Sequence, residues 1–283
     1  MRAAAIQLNA SDDVERNLET ADGLVRHAAS LGAELIVLPE CWTVMGTREQ
    51  LGAGAQTLDG TAVSWARATA AELGVDLIAG SLSERRDGEP PLANTSVHVQ
   101  PSGEIAAIYR KIHLFDVEID GAVYGEASTF APGSEIVVTT LGDGTRAGLT
   151  ICFDLRYPEL YRILALRGAE LVTVPSAFTL RTTRDHWEVL LRARAIENQC
   201  FVVAPNQIGQ HPGGLRSGGR SLIIDPWGVV LAGASDGEGV IVAELDFDVL
   251  RRVREQLPTL TRREPDAYDW SAAAPVTSHG SGR

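Results

Sequence analysis

Short apolar runs alternate along this chain with longer stretches in which apolar residues recur at helical spacing. The short runs predict strands and the longer stretches predict helices. Strands are predicted at 3–8, 34–40, 76–82, 93–99, 104–110, 135–140, 146–151, 170–175, 200–205, 219–224 and 239–245. Helices are predicted at 12–31, 61–73, 158–167, 184–198 and 247–256. Ser11 is the predicted N-cap of the first helix, and Gly32 its predicted terminator.

The order of these elements predicts an α/β fold, because strands and helices alternate. Hairpins are expected around 101–103 and 142–144, so the sheets should be mixed rather than purely parallel. There are enough strands for two sheets packed face to face with helices outside. No linker interrupts the middle of the chain, so one domain is expected over 1–270. The small, polar tail at 271–283 is expected to be disordered.

Composition and charge narrow the class of protein. The 283 residues are 45% hydrophobic and 22% charged, which is typical of a globular protein with a sizeable core. The net charge of −12 disfavours nucleic-acid partners. No apolar run approaches the roughly 20 residues that span a bilayer, and no signal peptide is apparent, so a cytoplasmic protein without a membrane partner is expected.

Three cysteines are present, at positions 41, 152 and 200. An odd number without paired spacing predicts free thiols in a reducing compartment. The sequence contains neither a CxxC nor an HExxH motif, and its six histidines are scattered. No metal site and no cofactor are therefore expected.

Lys111 is the single lysine of the chain, and the other 24 basic residues are all arginine. A compact ammonium with three freely rotating donors is not easily replaced by a guanidinium. Lys111 directly follows the predicted strand 104–110. Its position suggests that lysine chemistry is required there, although a chance survivor of the arginine bias is the alternative.

Two further side chains occupy comparable strand ends. Glu40 ends the strand 34–40, directly after Pro39, where a partly desolvated carboxylate could act as a general base. Cys152 follows the strand 146–151 and precedes a helix-starting turn, where backbone N–H groups favour a thiolate. Glu40, Lys111 and Cys152 together have the parts needed for nucleophilic acyl transfer. The alternatives are an exposed loop glutamate and a buried, inert thiol.

The oxyanion-stabilising groups and the two other cysteines are predicted as follows. Lys111 and a backbone N–H near Phe153 would stabilise the developing oxyanion. Cys41 is predicted to be structural, because a strand end can direct only one of two neighbours into a cleft. Cys200, within an apolar run, is also predicted to be structural.

Three segments resemble the signature segments of the nitrilase superfamily of carbon–nitrogen hydrolases. They are LPE with Glu40, YRKIHLFD with Lys111 and ICFDLRYPEL with Cys152. The resemblance implies a four-layer αββα sandwich that pairs into a homodimer, a Glu–Lys–Cys triad and a thioester intermediate. It also implies a second catalytic glutamate, which matches Glu126 in YGEASTFAPG; an ordinary loop acid is the alternative.

Segments in the second half of the chain resemble the amidase branch that includes omega-amidases and deaminated-glutathione amidases. These segments are VPSAF, HWEVLLRARAIENQ and GGRSLIIDPWG. The resemblance implies a small α-keto acid amide as substrate, with its carboxylate held by Arg156 in a bidentate manner. The alternative is that Arg156 caps a helix or pairs with Asp154 or Glu159.

The resemblance places Phe178 and Thr182 in the loop that lines the substrate pocket. His186 and Trp187 are interpreted as structural supports. One departure stands at Arg220, where the resembling enzymes have histidine; the arginine would alter either the pocket rim or a dimer contact.

The predicted function is hydrolysis of a small, carboxylate-bearing amide to an acid and ammonia. A nitrilase and an N-carbamoyl amino acid amidohydrolase share the same triad and are the alternatives within the superfamily. A non-catalytic binding protein on the same fold is the alternative from another class, and the intact set of Glu40, Lys111 and Cys152 argues against it.

Overall fold

The computed structural model describes residues 1–86, 89–119 and 121–268 of the chain. The strands are β1 (Arg2–Gln7), β2 (Leu35–Val37), β3 (Asp76–Arg86), β4 (Glu89–Val99), β5 (Ile105–Arg110), β6 (Asp116–Ile119), β7 (Ala122–Gly125), β8 (Val138–Thr140), β9 (Arg146–Leu149), β10 (Leu171–Thr173), β11 (Phe201–Ala204), β12 (Ile208–Gln210), β13 (Arg216–Gly218), β14 (Leu222–Ile224), β15 (Val230–Gly233) and β16 (Gly239–Glu244). The helices are α1 (Val14–Ser30), α2 (Arg48–Ala53), α3 (Thr61–Leu73), α4 (Pro158–Leu166), α5 (Leu180–Thr182), α6 (Glu188–Asn198) and α7 (Phe247–Gln256). The predicted tail at 271–283 lies outside the described residues.

Two six-stranded sheets form the centre of the fold. The first has the order β16-β1-β2-β3-β4-β5, and the second has the order β15-β14-β11-β10-β9-β8. In each sheet three strands run parallel, namely β1, β2 and β3 in the first and β9, β10 and β11 in the second. Antiparallel strands flank them on both sides. The prediction of two mixed sheets is confirmed.

The alternation of side chains along β1 separates two hydrophobic layers. Ala3 and Ala5 belong to the core that contains the second sheet, α4 and α6. Ala4 and Ile6 point the other way and pack against α1 and α3. Because successive side chains of a strand face opposite sides, one strand serves two cores. The layers therefore run helix, sheet, sheet, helix, and the predicted αββα sandwich is confirmed.

Two local predictions differ from the structure. Asp13, not Ser11, is the N-cap of α1, because its carboxylate accepts the Arg16 N–H at 3.1 Å. The Ser11 hydroxyl instead accepts the N–H of Asp13. The helix predicted at 184–198 begins as a π-helical turn at Thr183–Trp187 before α6.

The elements that the apolar pattern missed are short and partly polar. They are α2, α5, the hairpin of β6 and β7, the hairpin of β12 and β13, and the edge strand β15. Their side chains are mostly exposed or half-buried, so they lack the continuous apolar runs from which the longer strands were predicted. Within the described part of the chain, no helix combines the length and the apolar character needed to cross a membrane.

Candidate active site

A cavity of about 340 Å³ opens where strand ends from both sheets meet. Glu40 follows β2, Lys111 directly follows β5, and Cys152 lies three residues beyond β9. Glu126, which follows β7, completes the set of predicted catalytic residues on its wall. Carboxyl ends of parallel strands are the usual place for α/β sites. The four predicted catalytic side chains are thus brought to one cavity.

The Lys111 ammonium is the centre of the polar contacts in this cavity. Its Nζ donates to Glu40 Oε1 at 2.8 Å and to Glu126 Oε2 at 2.8 Å, with a further contact to Glu126 Oε1 at 3.0 Å. The lysine side chain is only 2% exposed. Burial alone would lower the pKa of Lys111, but Glu126 and Glu40 outweigh it and raise that pKa well above its usual value. Lys111 is therefore a permanent cation at neutral pH.

Neutral donors fix the orientation of the two carboxylates. The Asn94 side-chain amide bridges them, donating to Glu40 Oε1 at 3.0 Å and to Glu126 Oε1 at 2.9 Å. The backbone N–H of Ala177 donates to Glu40 Oε2 at 2.9 Å, and that of Phe115 to Glu126 Oε2 at 2.6 Å. Each carboxylate oxygen therefore has at least one donor, which offsets the cost of burying the charge.

Cys152 is held in a backbone conformation that residues other than glycine rarely adopt. Its φ is +49°, at the start of a 3₁₀ turn that runs from Cys152 to Arg156. Strain of this kind costs on the order of 1–3 kcal/mol and concentrates at functional sites. The Cys152 N–H is anchored to Pro175 O at 2.8 Å. The strained turn is what carries the thiol into the cavity.

The thiol of Cys152 is buried beside the Glu40 carboxylate. Burial raises the pKa of Cys152 well above its ordinary value, and Glu40 raises it further, while Lys111 and the Ala177 N–H lower it. Cys152 is therefore a neutral thiol at neutral pH. A thiol in this state needs a base for attack, and Glu40 is the adjacent group that can accept its proton.

Two glycines let the backbone segments behind Glu40 and Lys111 pack closely. A side chain at Gly80 would collide with the carbonyl groups of Leu38 and Pro39, which immediately precede Glu40. A side chain at Gly133 would collide with the carbonyl of Arg110. Gly133 also donates its N–H to Lys111 O at 2.8 Å. The close packing fixes the positions of the strand ends that carry the base and the cation.

Arg156 lines the same cavity without a carboxylate partner among the described residues. Its guanidinium lies 5.7 Å from the Phe153 ring centroid and 5.5 Å from that of Phe178. Its polar neighbour is His186 Nδ1, at 3.4 Å. The alternative pairing with Asp154 is not formed, because that carboxylate accepts from the Tyr109 hydroxyl, His113 and the Ile151 N–H. Burial lowers the pKa of Arg156 from its usual value.

The other predicted pocket residues also lie in this region. Phe153, Phe178 and Thr182 line the cavity. Trp187 packs against Phe178 with ring centroids 4.7 Å apart and donates to Arg220 O at 2.7 Å, as a structural support would. The Arg220 side chain lies outside this cavity and lines a neighbouring one, so the departure at that position leaves the wall around Cys152 unchanged.

The expectation that Cys41 points away from the cleft was wrong. Cys41 lines the cavity beside Glu40. The strand rule fails here because β2 ends at Val37, and Cys41 adopts φ +55°, outside strand geometry. Burial raises the pKa of Cys41 well above its usual value, and Glu40 and Glu126 raise it further. It therefore remains a neutral thiol at neutral pH.

Sequence patterns gave no signal for several groups that complete the site. Asn94 lies within the long strand β4. The residues directly after it are also small and polar, so its residue type does not distinguish it. The Ala177 N–H contributes through the backbone, which no side-chain pattern records. Arg48 and Arg216 also line the cavity, and both belong to short elements that the pattern missed. Among the described residues, no group of three or more His, Cys, Asp or Glu side chains is arranged to hold a metal.

Comparisons with known proteins agree with this geometry. The family model described as carbon-nitrogen hydrolase matches residues 2–255. The chain is 40% identical over 264 residues to a deaminated glutathione amidase from Synechocystis sp., covering 92% of this chain and 97% of the relative. It is 35% identical to omega-amidase NIT2 from Pongo abelii, covering 94% and 96%.

A solved structure supports the same relationship. Saccharomyces cerevisiae Nit3, described as a member of branch 10 of the nitrilase superfamily, superimposes with a TM-score of 0.83 at 29% identity, covering 91% of this chain and 94% of Nit3. The chain belongs to the carbon-nitrogen hydrolase family of the nitrilase superfamily. It is a hydrolase of carbon–nitrogen bonds other than peptide bonds, as the three sequence segments predict.

Proposed function

We propose that this protein is an amidase that hydrolyses a small α-keto acid amide through a cysteine thioester. The observation that supports this proposal most directly is the contact network in which Lys111 joins Glu40 and Glu126 beside the buried Cys152 thiol. The substrate class is supported by Arg156, a cation without a carboxylate partner among the described residues, in the same cavity. An amidase activity is also supported by the relatives, which are named deaminated glutathione amidase and omega-amidase.

In the first half-reaction Glu40 accepts the Cys152 proton as Sγ attacks the amide carbonyl carbon. The carbonyl oxygen becomes an oxyanion that Lys111 and the Phe153 N–H stabilise. An ammonium has three N–H donors, and two carboxylates leave one of them available. The carbon–nitrogen bond then breaks, Glu40 returns its proton to the leaving nitrogen, and the acyl group stays on Cys152 as a thioester.

In the second half-reaction a water molecule replaces the released amine. Glu40 accepts a proton from that water as its oxygen attacks the thioester carbonyl. The carbon–sulfur bond breaks, the acid is released, and the proton returns to Cys152. Glu126 and Asn94 act as positioning residues, since both hold the Lys111–Glu40 pair through hydrogen bonds. Ammonia is the first product from a primary amide, and an amine is the first product from a substituted one.

Arg156 would bind the carboxylate of the keto acid. A guanidinium can grip a carboxylate through two parallel hydrogen bonds, and the nearby rings of Phe153 and Phe178 support the guanidinium through cation–π contacts. Phe178 and Thr182 would contact the carbon chain of the substrate, between its carboxylate and its amide. This assignment makes Arg156 a substrate-binding residue and leaves the bond-breaking chemistry to the Glu40, Lys111 and Cys152 set.

A substrate panel tests the proposed function. Purified protein would be given 2-oxoglutaramate, simple aliphatic amides, N-carbamoyl amino acids and aliphatic nitriles, with ammonia and carbon dioxide measured as products. We expect the highest kcat/KM for the keto acid amide. Carbon dioxide from a carbamoyl compound would favour an N-carbamoyl amino acid amidohydrolase, and faster release of ammonia from a nitrile would favour a nitrilase.

We further propose a homodimer formed through an exposed apolar patch on α6 and around β15. Val189 is 69% exposed, Trp227 58% and Ile196 48%. Positions 189 and 196 lie seven residues apart on one helix face, and Arg192 Nε donates to Gly228 O at 2.8 Å, which joins the helix to the turn before β15. Apolar patches of this kind mark protein contacts. The three free thiols fit a cytoplasmic location.

Charge introduced into this patch should convert the dimer to a monomer. We expect Trp227→Glu to halve the mass measured by light scattering, because a carboxylate cannot be buried there without a partner. Leu31→Glu is the matched control, since Leu31 is 42% exposed at the end of α1 in the opposite outer layer. An unchanged mass for Trp227→Glu, or a monomeric wild-type protein, would contradict the proposed interface.

A further inference from the structure

His186 contacts Arg156, the arginine proposed to hold the substrate carboxylate. Its Nδ1 lies 3.4 Å from both Nη1 and Nη2 of Arg156. His186 is exposed and does not line the cavity that contains Cys152. Any influence of His186 on the reaction must therefore pass through Arg156.

The contact determines the form of the imidazole ring. A guanidinium offers five N–H donors and no acceptor, so the nitrogen that faces it must carry a lone pair. His186 is therefore neutral at this contact, with its proton on Nε2. An imidazolium would instead place a second N–H group against the donors of Arg156.

The position of His186 leaves one edge of the guanidinium available. A single acceptor at equal distances from Nη1 and Nη2 lies at the far edge of Arg156, between its two terminal nitrogens. The other edge, formed by Nε and one Nη, has no hydrogen bond to a described residue. Two parallel N–H groups on that edge match the two oxygens of a carboxylate. His186 and a substrate carboxylate can therefore bind Arg156 at the same time.

The backbone that carries His186 is anchored at both ends. It forms the π-helical turn Thr183–Trp187, and single π turns are frequent at functional sites. The Thr183 hydroxyl donates to Phe178 O at 3.1 Å, and Trp187 Nε1 donates to Arg220 O at 2.7 Å. The imidazole is therefore presented from a fixed segment, although His186 is exposed.

A fixed acceptor lowers the cost of binding a carboxylate. An arginine side chain has several rotatable bonds, and fixing them when a ligand binds reduces affinity. The rings of Phe153 and Phe178 attract the guanidinium at 5.7 and 5.5 Å, but attraction to a ring face does not fix where the N–H groups point. His186 supplies a directional contact, so Arg156 is oriented before the substrate arrives.

Resting on the proposed function, we infer that His186 is a positioning residue that orients Arg156 and thereby sets the preference for amides that carry a carboxylate. His186 lies outside the cavity wall, so it takes no part in the bond-breaking steps at Cys152. It has this role in substrate selection in addition to the structural support expected from the sequence. Loss of the imidazole should raise KM for a carboxylate-bearing amide and leave kcat nearly unchanged.

Two amides that differ by one group isolate this effect. In 4-oxopentanamide a methyl group replaces the carboxylate of 2-oxoglutaramate, while the keto group and the amide keep their places. We expect His186→Leu to raise KM for 2-oxoglutaramate by about tenfold, the size of effect that one hydrogen bond to a charged group allows. KM for 4-oxopentanamide, and kcat for both amides, should stay close to the wild-type values.

Further variants assign the effect to the acceptor atom and to Arg156. His186→Asn should keep most of the wild-type KM, because the side-chain oxygen of asparagine can replace Nδ1 as the acceptor. In the Arg156→Ala background, His186→Leu should have no further effect, since residues that act through one contact are not additive. His27→Leu is the matched control. His27 is exposed on α1, where its ring contacts Ser30 and lies away from the cavity wall, so KM for both amides should be unchanged.

The possible results separate this inference from the proposed function. A merely structural role for His186 predicts that His186→Leu impairs the hydrolysis of both amides alike, and that outcome would overturn the inference. A KM for 2-oxoglutaramate that stays at the wild-type value, or a further rise in the Arg156→Ala background, would overturn it as well. In each of these cases the wild-type protein still hydrolyses 2-oxoglutaramate, and the amidase stands. If the wild-type protein hydrolyses neither amide, the proposed function itself fails, and the inference fails with it.

Discussion

Replacing Cys152 with alanine should reduce amide hydrolysis by at least about 10⁴-fold, while the protein stays folded. The proposed reaction forms its first bond at Sγ, and among the described residues that line the cavity the other thiol is that of Cys41. The Cys41 thiol is buried and, like Cys152, has a raised pKa, but its side-chain hydrogen bond is with Ser81, whereas that of Cys152 is with Glu40. Ammonia release from 2-oxoglutaramate measures activity, and thermal unfolding confirms that the variant is folded.

Cys200→Ala is the matched control for this experiment. Cys200 is fully buried in the core, with a pKa raised to about 12 by its burial, and it lies away from the cavity residues. The variant should keep its turnover, even if the small void in the core lowers its melting temperature. Turnover by Cys152→Ala within tenfold of the wild-type value would rule out a thioester at this position.

Lys111→Arg should be almost inactive, with a loss of about 10³-fold or more, although the charge is preserved. The ammonium sits 2.8 Å from one oxygen of Glu40 and one of Glu126, in a pocket that leaves it 2% exposed. A planar guanidinium is larger and directs its donors along a fixed fork, so it would displace the carboxylates and could not present one donor to the oxyanion. Steady-state kinetics with 2-oxoglutaramate measures the loss, which should appear in kcat.

Lys111→Met tests how much this lysine contributes to the stability of the folded protein, apart from its role in catalysis. Removing one partner of a buried ion pair is expected to cost about 3–5 kcal/mol of unfolding free energy, because Glu40 and Glu126 would be left without their cation. The matched control is Arg110→Lys, the neighbouring position, where a bidentate pair with Glu84 at 2.7 Å becomes a single contact. That control should lose some stability and keep its turnover. An active, stable Lys111→Met protein would contradict the network described above.

The sequence predicted the layers of the fold because apolar runs and their spacing are local properties. Strands such as β1 and β2, and helices such as α3 and α7, follow from that pattern. The positions of Glu40, Lys111 and Cys152 were predictable because each ends or follows an apolar run within a recognisable segment. Their separation along the chain hid the contacts between them, which arise when the two sheets pack.

Other parts of the site depend on geometry that residue type does not encode. Asn94 bridges two carboxylates only because the fold brings Glu40 and Glu126, which are distant in sequence, within hydrogen-bonding distance of its amide. Cys41 enters the cavity because the backbone leaves strand geometry before it, and Arg48 reaches the cavity wall on a helix too short to produce a periodic pattern. In each case the deciding quantity is a backbone conformation or a contact distant in sequence.

The close packing at Gly80 and Gly133 widens the set of harmful mutations well beyond the cavity. Neither glycine lines it, yet any side chain at Gly80 presses on the segment before Glu40, and any at Gly133 presses on the residue before Lys111. A survey of naturally occurring variants would find few replacements at these two positions. A variant carrying one of them could be abundant and folded, and still be a null allele.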